Sequence, residues 1–427
     1  MRHLALLLSV LALCSCGTKQ NTNYNLLAGA AVAVVNPEPG SFIAGDRRDR
    51  RFEGIHDSLY VKAVAISDLN SAVVLFTVDC IGLLYPSLQK IRRAVSSDYP
   101  EAGLDPDCIV MSSTHTHSGP DVVGLWGPDQ GSSGVDPDYM DRLIATAAKT
   151  IASAWTNRVP ARMRLAETTH GEDWVYNISK PGEMDRKLSV ARFEDRAGLP
   201  IATLINFACH PTFLDGINDR VSSDFICGYY REMNARAGGI NLFLQGAIGG
   251  WVQPEYEEKT LENALRRGRD LAKSALSALD DAPYEETTAV SFRNRRFRLP
   301  VDNPLFRQIS AIGLVDRPVS DSLETECAWF GIGRAVFATH PGETSPAYSL
   351  ATRDLMPANS QGFIIGLGMD ALGYILTPDF FDPAAGVPHA GYLTGMSVGP
   401  QTGPIMMQML ESLAKEALHE QSGAVRL

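Results

Sequence analysis

The sequence contains few cysteines, and no two of them form a Cys-x-x-Cys pair. Seven cysteines occur in 427 residues, and two of these lie within the first sixteen. The other five sit in or beside apolar segments, and their odd number leaves at least one thiol unpaired within the chain. This pattern argues against a zinc cluster held by sulfur and against a thioredoxin-like site. It predicts that the five behave as buried small hydrophobic residues.

The sequence also lacks an excess of positive charge. Lys and Arg number 38 against 49 Asp and Glu, which gives a formal net charge of −11 at pH 7. Phosphate groups are bound by positive fields, so this balance argues against nucleic acid as a general partner. Internal repeats, low-complexity tracts and long Pro/Gly/Ser linkers are missing as well. We therefore expect one catalytic domain over residues 28–427.

No apolar run after residue 16 reaches the length of a membrane-spanning helix. The first sixteen residues do carry a targeting signal, in which apolar residues 4–13 lead to Leu13-Cys14-Ser15-Cys16-Gly17. This segment resembles a bacterial lipoprotein signal peptide that is cleaved before Cys16. Residues 17–27 would then be a polar tether. The sequence predicts a location in the bacterial cell envelope, in the periplasm or at the outer membrane, with membrane contact through a lipid on Cys16.

Strand-like and helix-like segments alternate along the rest of the chain. Runs of β-branched and apolar residues predict strands, and apolar stripes at helical spacing predict helices. The predicted strands are residues 61–66, 72–78, 108–112, 161–166, 188–193, 201–207, 241–244, 289–298, 328–338 and 362–366. The predicted helices are residues 139–155, 258–279 and 405–419. The alternation predicts an α/β architecture of mixed β-sheets with flanking helices.

Two of the nine histidines fall together, in Thr114-His115-Thr116-His117-Ser118-Gly119-Pro120 after a predicted strand. On an extended backbone His115 and His117 point to the same face, where two imidazoles are well placed for a metal ion. A hydrogen-bonded surface pair is the alternative. The motif therefore identifies a candidate metal site without deciding between the two.

Polar residues of ligand type follow three other predicted strands. These segments are Cys209-His210-Pro211-Thr212, Thr339-His340-Pro341-Gly342-Glu343-Thr344 and Met369-Asp370-Ala371-Leu372-Gly373-Tyr374. Strand ends are where α/β folds assemble their sites. A single histidine at a strand end is also compatible with a purely structural role.

Taken in order, these segments resemble the motif series of the neutral/alkaline ceramidase family. The series comprises the segment from Thr114 to Pro120, Phe207-Ala208-Cys209-His210, Pro341-Gly342-Glu343, Gly373-Tyr374 and Gly399-Pro400-Gln401-Thr402. The resemblance extends over most of the chain. It implies the fold of the family's catalytic domain and the activity of a zinc amidase that cleaves N-acyl sphingosine.

The resemblance also implies roles for individual residues. The family's zinc ligands correspond to His115, His210, Glu343 and Tyr374. Zinc in such a site supplies a hydroxide-like nucleophile near neutral pH. His117 corresponds to a histidine that is not a ligand but lies beside the reacting carbonyl. Zinc, with His117 or Tyr374 as a hydrogen-bond donor, would stabilise the oxyanion, and His117 is the first candidate to protonate the leaving amine.

Two departures from the family pattern leave the substrate open. The family places a serine at the active site, but the matching stretch, residues 245–254, contains none, and Gln253 could take its place. The family's C-terminal β-sandwich domain is not expected in this chain. Asp224 matches a polar segment of the family or is a helix N-cap. Trp126 and Trp251 either pack in the core or line a groove for an acyl chain or a sugar.

The sequence therefore predicts a zinc-dependent hydrolase that cleaves a linear amide bond. Ceramide or a related N-acyl lipid is the first candidate substrate. A deacylase, deacetylase or esterase acting on a soluble N-acyl sugar, amino acid or other small polar compound is the second hypothesis. A surface binding lipoprotein with a decayed catalytic centre is the third. The polarity of the pocket beside the metal distinguishes the first two hypotheses, and metal content distinguishes the third.

Overall fold

The computed structural model describes residues 25–255 and 259–424. The predicted signal peptide, with Cys16 and its lipid, lies outside the described residues, and so do residues 17–24 of the predicted tether. These features, together with the cell-envelope location, stay predictions. The first strand begins at Leu27, one residue before the predicted domain boundary.

Strands and helices alternate through the described residues. The strands are β1 (Leu27–Val34), β2 (Gly54–Ile55), β3 (Tyr60–Ser67), β4 (Ala72–Val78), β5 (Ile109–Ser113), β6 (Val159–Thr169), β7 (Val175–Asn177), β8 (Lys187–Asp195), β9 (Pro200–Phe207), β10 (Arg220–Val221), β11 (Ile240–Gln245), β12 (Val252–Pro254), β13 (Val290–Pro300), β14 (Ser322–Ile332), β15 (Ala335–Thr339), β16 (Glu343–Thr344), β17 (Gln361–Ile365) and β18 (Tyr374–Ile375). The α-helices are α1 (Tyr85–Asp98), α2 (Pro137–Thr156), α3 (Phe225–Arg236), α4 (Leu261–Leu279), α5 (Pro304–Ala311), α6 (Pro346–Asp354), α7 (Ala390–Gly395) and α8 (Thr402–Ala424). Short 3₁₀ helices lie at Pro100–Ala102, Pro106–Cys108, Pro378–Phe381 and Pro383–Ala385.

The larger sheet has the strand order β11-β9-β8-β6-β1-β3-β4-β5. β1 and β6 share only two residue pairs, so the sheet is narrow at its middle. The two halves also contact each other beyond this junction. Lys62 on β3 donates a hydrogen bond to the carbonyl of Asn241 on β11, and Thr77 on β4 donates to the carbonyl of Phe243. This contact brings the ends of β5 and β9 close enough to share one site.

A smaller sheet of order β13-β14-β15-β17 packs against the larger one, and helices flank both. Phe330, Phe337 and Phe363 stack in succession across the smaller sheet, with ring centroids 4.5 and 4.3 Å apart. They belong to the same buried apolar cluster as β3, β4 and β5. Outside the sheets, α2 contacts β1 and β3, α4 contacts β6 and β8, and α8 contacts β13 and β14. The predicted mixed α/β architecture with flanking helices is confirmed.

One predicted strand is wrong, because the chain reverses direction inside residues 328–338. β14 ends at Ile332, which pairs with Ala335 at the start of β15. Gly333 lies in the turn between them with a φ of +56°. Glycine adopts this conformation readily, which is why it favours a two-residue hairpin turn here. A mainly apolar segment interrupted by Gly333-Arg334 therefore forms two antiparallel strands.

The five cysteines beyond residue 16 are buried and free, as predicted: Cys80, Cys108, Cys209, Cys227 and Cys327. Burial also raises the pKa of the Cys80 thiol to about 12, which keeps it protonated. Among the described residues, no helix combines the length and the apolar character that crossing a membrane requires.

Candidate metal centre

The candidate site forms where four strands begin or end. His115 comes two residues after β5, and His210 comes three residues after β9. Glu343 opens β16 and Tyr374 opens β18, and these parallel strands place the two residues opposite each other. The fold thus brings together side chains from four separate segments of the sequence.

His115 is held by hydrogen bonds to the segment after β4. Its backbone N–H donates to the carbonyl of Cys80 at 2.9 Å, and its Nδ1 lies 2.6 Å from the carbonyl of Ile81. Its φ is +69°, a backbone conformation that residues other than glycine rarely adopt. The prediction of an extended backbone through His115 and His117 is therefore wrong. The two rings nevertheless meet, with 3.3 Å between their Nε2 atoms.

His210 and Glu343 lie directly beside His115. The Nδ1 atom of His210 is 2.7 Å from the carbonyl of Val252. Its Nε2 atom is 3.1 Å from Oε2 of Glu343, and Nε2 of His115 is 3.5 Å from the same oxygen. All three side chains are almost completely buried.

The hydrogen bonds at Nδ1 determine where the proton of each imidazole lies. A carbonyl oxygen only accepts, so Nδ1 carries a hydrogen in both His115 and His210, and the Nε2 atom of each ring faces Glu343. Burial lowers the pKa of His115 to about 3, so this ring is neutral at pH 7. Burial alone would raise the pKa of Glu343, but His115 and His210 outweigh it and lower the pKa to about 2. Two Nε2 atoms and a carboxylate therefore face one point.

His117 differs from the other two histidines because its Nδ1 meets a carboxylate. Oδ2 of Asp215 lies 3.2 Å from Nδ1. Burial alone would lower the pKa of His117, but Asp215 outweighs burial and raises it. The ring also fits closely against Gly45, where a Cβ atom would come within 2.5 Å of Nδ1. His117 is thus the histidine of this group that is prepared to carry a proton.

A buried glutamine links the two histidine loops. The side-chain amide of Gln245, at the end of β11, donates to the carbonyls of Thr114 and Cys209 at 3.0 and 2.9 Å. Its Oε1 atom accepts from the backbone N–H of Cys209 at 3.2 Å. Thr114 and Cys209 immediately precede His115 and His210. Gln245 therefore fixes the distance between the two imidazoles.

Tyr374 lies beside Glu343 and keeps its own phenol proton. Burial, followed by the charge of Glu343, raises the pKa of this phenol well above its usual value. The same hydroxyl is hydrogen-bonded to Glu343. Tyr374, the fourth predicted ligand, thus lies beside Glu343 with its phenol protonated.

Of the remaining candidates from the sequence, Trp251 contacts the site and the others have separate partners. Gln253 lies on β12, and its amide donates to the hydroxyl of Tyr176 at 3.0 Å. Asp224 caps α3 by accepting from the N–H of Phe225, which agrees with the alternative reading of a helix cap. Trp251 stacks on Tyr392 with ring centroids 5.1 Å apart and is hydrogen-bonded to the hydroxyl of Tyr374. His340 points away from the cluster, because both of its ring nitrogens contact threonine hydroxyls.

A cavity of about 450 Å³ opens beside the cluster and reaches His115 and Glu343. Its walls are mainly apolar, and Trp126 is among the aromatic side chains that line them. Further lining residues are Leu84, Val123, Leu125, Leu305, Phe306, Ile309, Leu367, Leu372, Tyr392 and Met396. Charged side chains line one part of it, where Asp46, Arg47 and Arg48 are exposed. The cavity thus connects a polar cluster to an extended apolar surface.

Known proteins resemble this chain in sequence and in fold. No protein-family model matches the chain. The chain is 28% identical over 197 residues to neutral ceramidase A of Dictyostelium discoideum, and 28% identical over 192 residues to neutral ceramidase B of the same organism. The chain is related to the neutral ceramidases. Each alignment covers 40% of this chain but only 26% of the relative, about a quarter of its length.

Solved structures share the fold of this neutral ceramidase relative. The crystal structure of neutral ceramidase from Pseudomonas aeruginosa superposes with a TM-score of 0.74 at 17% identity, covering 93% of this chain and 75% of that chain. A structure described as "Ceramidase complexed with C2" gives a TM-score of 0.72 at 15% identity and covers 93% and 76%. The fold therefore extends far beyond the segment in which the sequences align.

Two residues with clear positions in this site did not emerge from the sequence. Asp215 follows His210 by five residues and precedes Gly216, so a polar residue before a turn glycine was its only signal. Gln245 ends a strand, and its importance comes from carbonyl groups that lie far away in the sequence. Both positions become apparent only when the loops are seen together.

Proposed function

We propose that the protein is a Zn²⁺-dependent amidohydrolase that cleaves the amide bond of an N-acyl lipid, with ceramide as the first candidate substrate. The observation that carries this proposal is the apolar cavity that ends at His115 and Glu343. An apolar channel favours a substrate with a hydrocarbon chain over a sugar or a small polar amide. The names of the related neutral ceramidases support the same class of substrate.

The donor atoms fit a zinc ion. Zinc takes nitrogen and oxygen ligands at about 2.0–2.2 Å in a tetrahedral arrangement, so its ligand atoms lie roughly 3.4 Å apart. Oε2 of Glu343 lies 3.1 Å from Nε2 of His210 and 3.5 Å from Nε2 of His115. A bound zinc ion would take the lone pairs of both Nε2 atoms and would balance the carboxylate charge. His115, His210 and Glu343 would hold the ion, with Tyr374 as the proposed fourth ligand.

The other side chains of the site have separate tasks. Zn²⁺, when bound, supplies Lewis acidity that produces a nucleophile from water near neutral pH and polarises a carbonyl group. His117, oriented by Asp215, would transfer a proton to the leaving amine, since expelling an unprotonated amide nitrogen is prohibitive. Tyr374, when it does not serve as a ligand, can donate its hydroxyl proton to the carbonyl oxygen. The apolar walls would hold the acyl chain and exclude bulk water.

Metal content and substrate range test the proposal together. We expect purified protein to contain about one zinc ion per chain, to lose hydrolysis on chelation and to regain it with Zn²⁺. Long-chain N-acyl lipids should be cleaved faster than N-acetyl sugars, N-acyl amino acids or esters. Preference for a small polar amide would support a soluble substrate instead. A chain without metal after zinc-replete purification, and without hydrolysis, would support a binding lipoprotein.

A further inference from the structure

Helix α5 is unusual because none of its residues is buried. A helix of eight residues is too short to be stable in water without tertiary contacts. Phe306 supplies such a contact by packing against the cluster around Leu299 and Leu372. The rest of the apolar side faces the cavity or solvent, with Leu305 39% exposed and Ile312, the residue that follows the helix, 55% exposed.

Other exposed apolar side chains lie at the same opening. Tyr392 on α7 lines the cavity and is 55% exposed. Ile217 is 60% exposed and follows Gly216, whose carbonyl accepts a hydrogen bond from Arg47, another residue of the cavity lining. Single exposed apolar residues are common on proteins, but a group of them around one opening marks an interaction surface. We call Arg47, Arg48, Ile217, Leu305, Ile312 and Tyr392 the mouth surface.

The mouth surface carries two adjacent exposed arginines in a chain that is acidic overall. Arg47 and Arg48 are both exposed there, although the chain carries a net charge of −11. Two exposed carboxylates flank them, and each has an arginine partner: Asp46 pairs with Arg47 at 3.3 Å, and Asp49 pairs with Arg51 at 3.9 Å. Exposed arginines beside apolar and tyrosine side chains are typical of surfaces that meet the phosphate layer of a membrane.

We propose that the mouth surface docks on a phospholipid bilayer. Ile217, Leu305, Ile312 and Tyr392 would enter the boundary between headgroups and acyl chains, and the arginines would contact lipid phosphates. The inference rests on the proposed function in one respect, since a lipid substrate could then pass from the bilayer into the apolar cavity without crossing water.

Attachment through the residues before β1 does not by itself produce this orientation. Leu27 pairs with Ser67 at one end of β3, whereas Val34 pairs with Tyr60 at the other end. Tyr60 also contacts Asp79, in the segment that supports His115. The chain therefore enters the sheet at the end opposite the mouth. The predicted lipid anchor alone would therefore not orient the mouth surface towards the membrane.

Hydrogen exchange of the full chain, with and without vesicles, tests the docking directly. The vesicles would contain phosphatidylcholine, with and without phosphatidylglycerol. We expect slower exchange in residues 304–312, 213–218 and 390–395 when vesicles are present, and more so with the anionic lipid. Residues 68–71 and 196–199, at the far strand ends, should be unaffected. Exchange unchanged by vesicles would overturn the proposal, as would protection that depends only on protein concentration, which indicates a second copy of the chain.

A matched pair of double variants tests the consequence for hydrolysis. Ile217→Ser with Ile312→Ser removes two exposed side chains that do not line the cavity, and Leu69→Ser with Leu199→Ser removes two from the far ends. We expect the first pair to raise KM for an N-acyl lipid in vesicles about tenfold, because apolar burial at the membrane is lost. Hydrolysis of a short-chain soluble amide should be unchanged in both. Equal effects of the two pairs would contradict docking.

These measurements separate the two proposals. Vesicle protection of the mouth surface in a protein that cleaves no amide would leave docking in place and refute the amidase. Hydrolysis of a soluble amide without vesicle protection of the mouth surface would support the amidase and refute docking.

Discussion

The two sides of the cavity are built in different ways. On the metal side, His115 and His210 are each fixed by a backbone carbonyl at Nδ1, and Gln245 joins their loops. On the opposite side, α5 has no buried residue and Tyr392 is half exposed. The geometry of the ligands is therefore rigidly determined, whereas the substrate-facing wall is held by few contacts. Such a division suits a reaction that needs fixed donors and a substrate with a flexible chain.

The largest expected effect comes from breaking the rigid side at a ligand. We expect Glu343→Gln to lower hydrolysis by about three orders of magnitude and to abolish zinc binding, because a neutral amide replaces the only carboxylate among the proposed ligands. Zinc content and kcat/KM of the purified variant measure this. Full metal content with normal hydrolysis would remove Glu343 from the site.

Loss of the carboxylate beside His117 should have the next largest effect. We expect Asp215→Asn to lower kcat about a hundredfold, because His117 loses the partner that orients it and favours its protonated form. KM and zinc content should hardly change, since Asp215 contacts neither His115 nor His210. Zinc loss in this variant would show instead that His117 is a ligand.

Removing the glutamine link should weaken the metal site without altering a ligand. We expect Gln245→Leu to lower zinc affinity about 10- to 100-fold, a typical effect of losing a group that orients ligands. Gln361→Leu is a matched control, because Gln361 also donates to two buried carbonyls, those of Ala166 and Val190. Both variants leave carbonyls unpaired and should lose stability, by about 1–3 kcal/mol for each carbonyl. Equal zinc affinity in the two would mean that Gln245 has only a structural role.

The smallest effect should come from the opposite wall. Ile309 lines the cavity without being fully buried. We expect Ile309→Trp to reduce kcat/KM for long N-acyl chains about tenfold and to change values for short chains little, because the larger ring fills acyl-chain space. Assays over a series of chain lengths measure this. A uniform loss at every length would place the acyl chain elsewhere.

Many strands could be predicted from the sequence because they are rich in β-branched and apolar residues. Residues 72–78 coincide with β4, and residues 201–207 lie within β9. Helix α5 was missed because it has no face that packs fully into a core, so its apolar pattern is short. The hairpin within residues 328–338 was missed because only Gly333-Arg334 interrupts the apolar segment.

The ligand-type residues could be found by motif, but their arrangement could not. His115 and His117 meet although the backbone between them is not extended, because a left-handed residue and the contact with Ile81 redirect the chain. Asp215 and Gln245 act through partners 98 and 131 residues away, and no local pattern encodes such contacts. Long-range packing therefore determines what the motif alone leaves open.

The most direct test is an anomalous diffraction measurement at the zinc absorption edge on crystals of the zinc-replete protein. We predict one peak at about 2.0–2.2 Å from Nε2 of His115, Nε2 of His210 and a carboxylate oxygen of Glu343. A peak elsewhere, or no peak in crystals of protein that still cleaves an amide, would contradict the account.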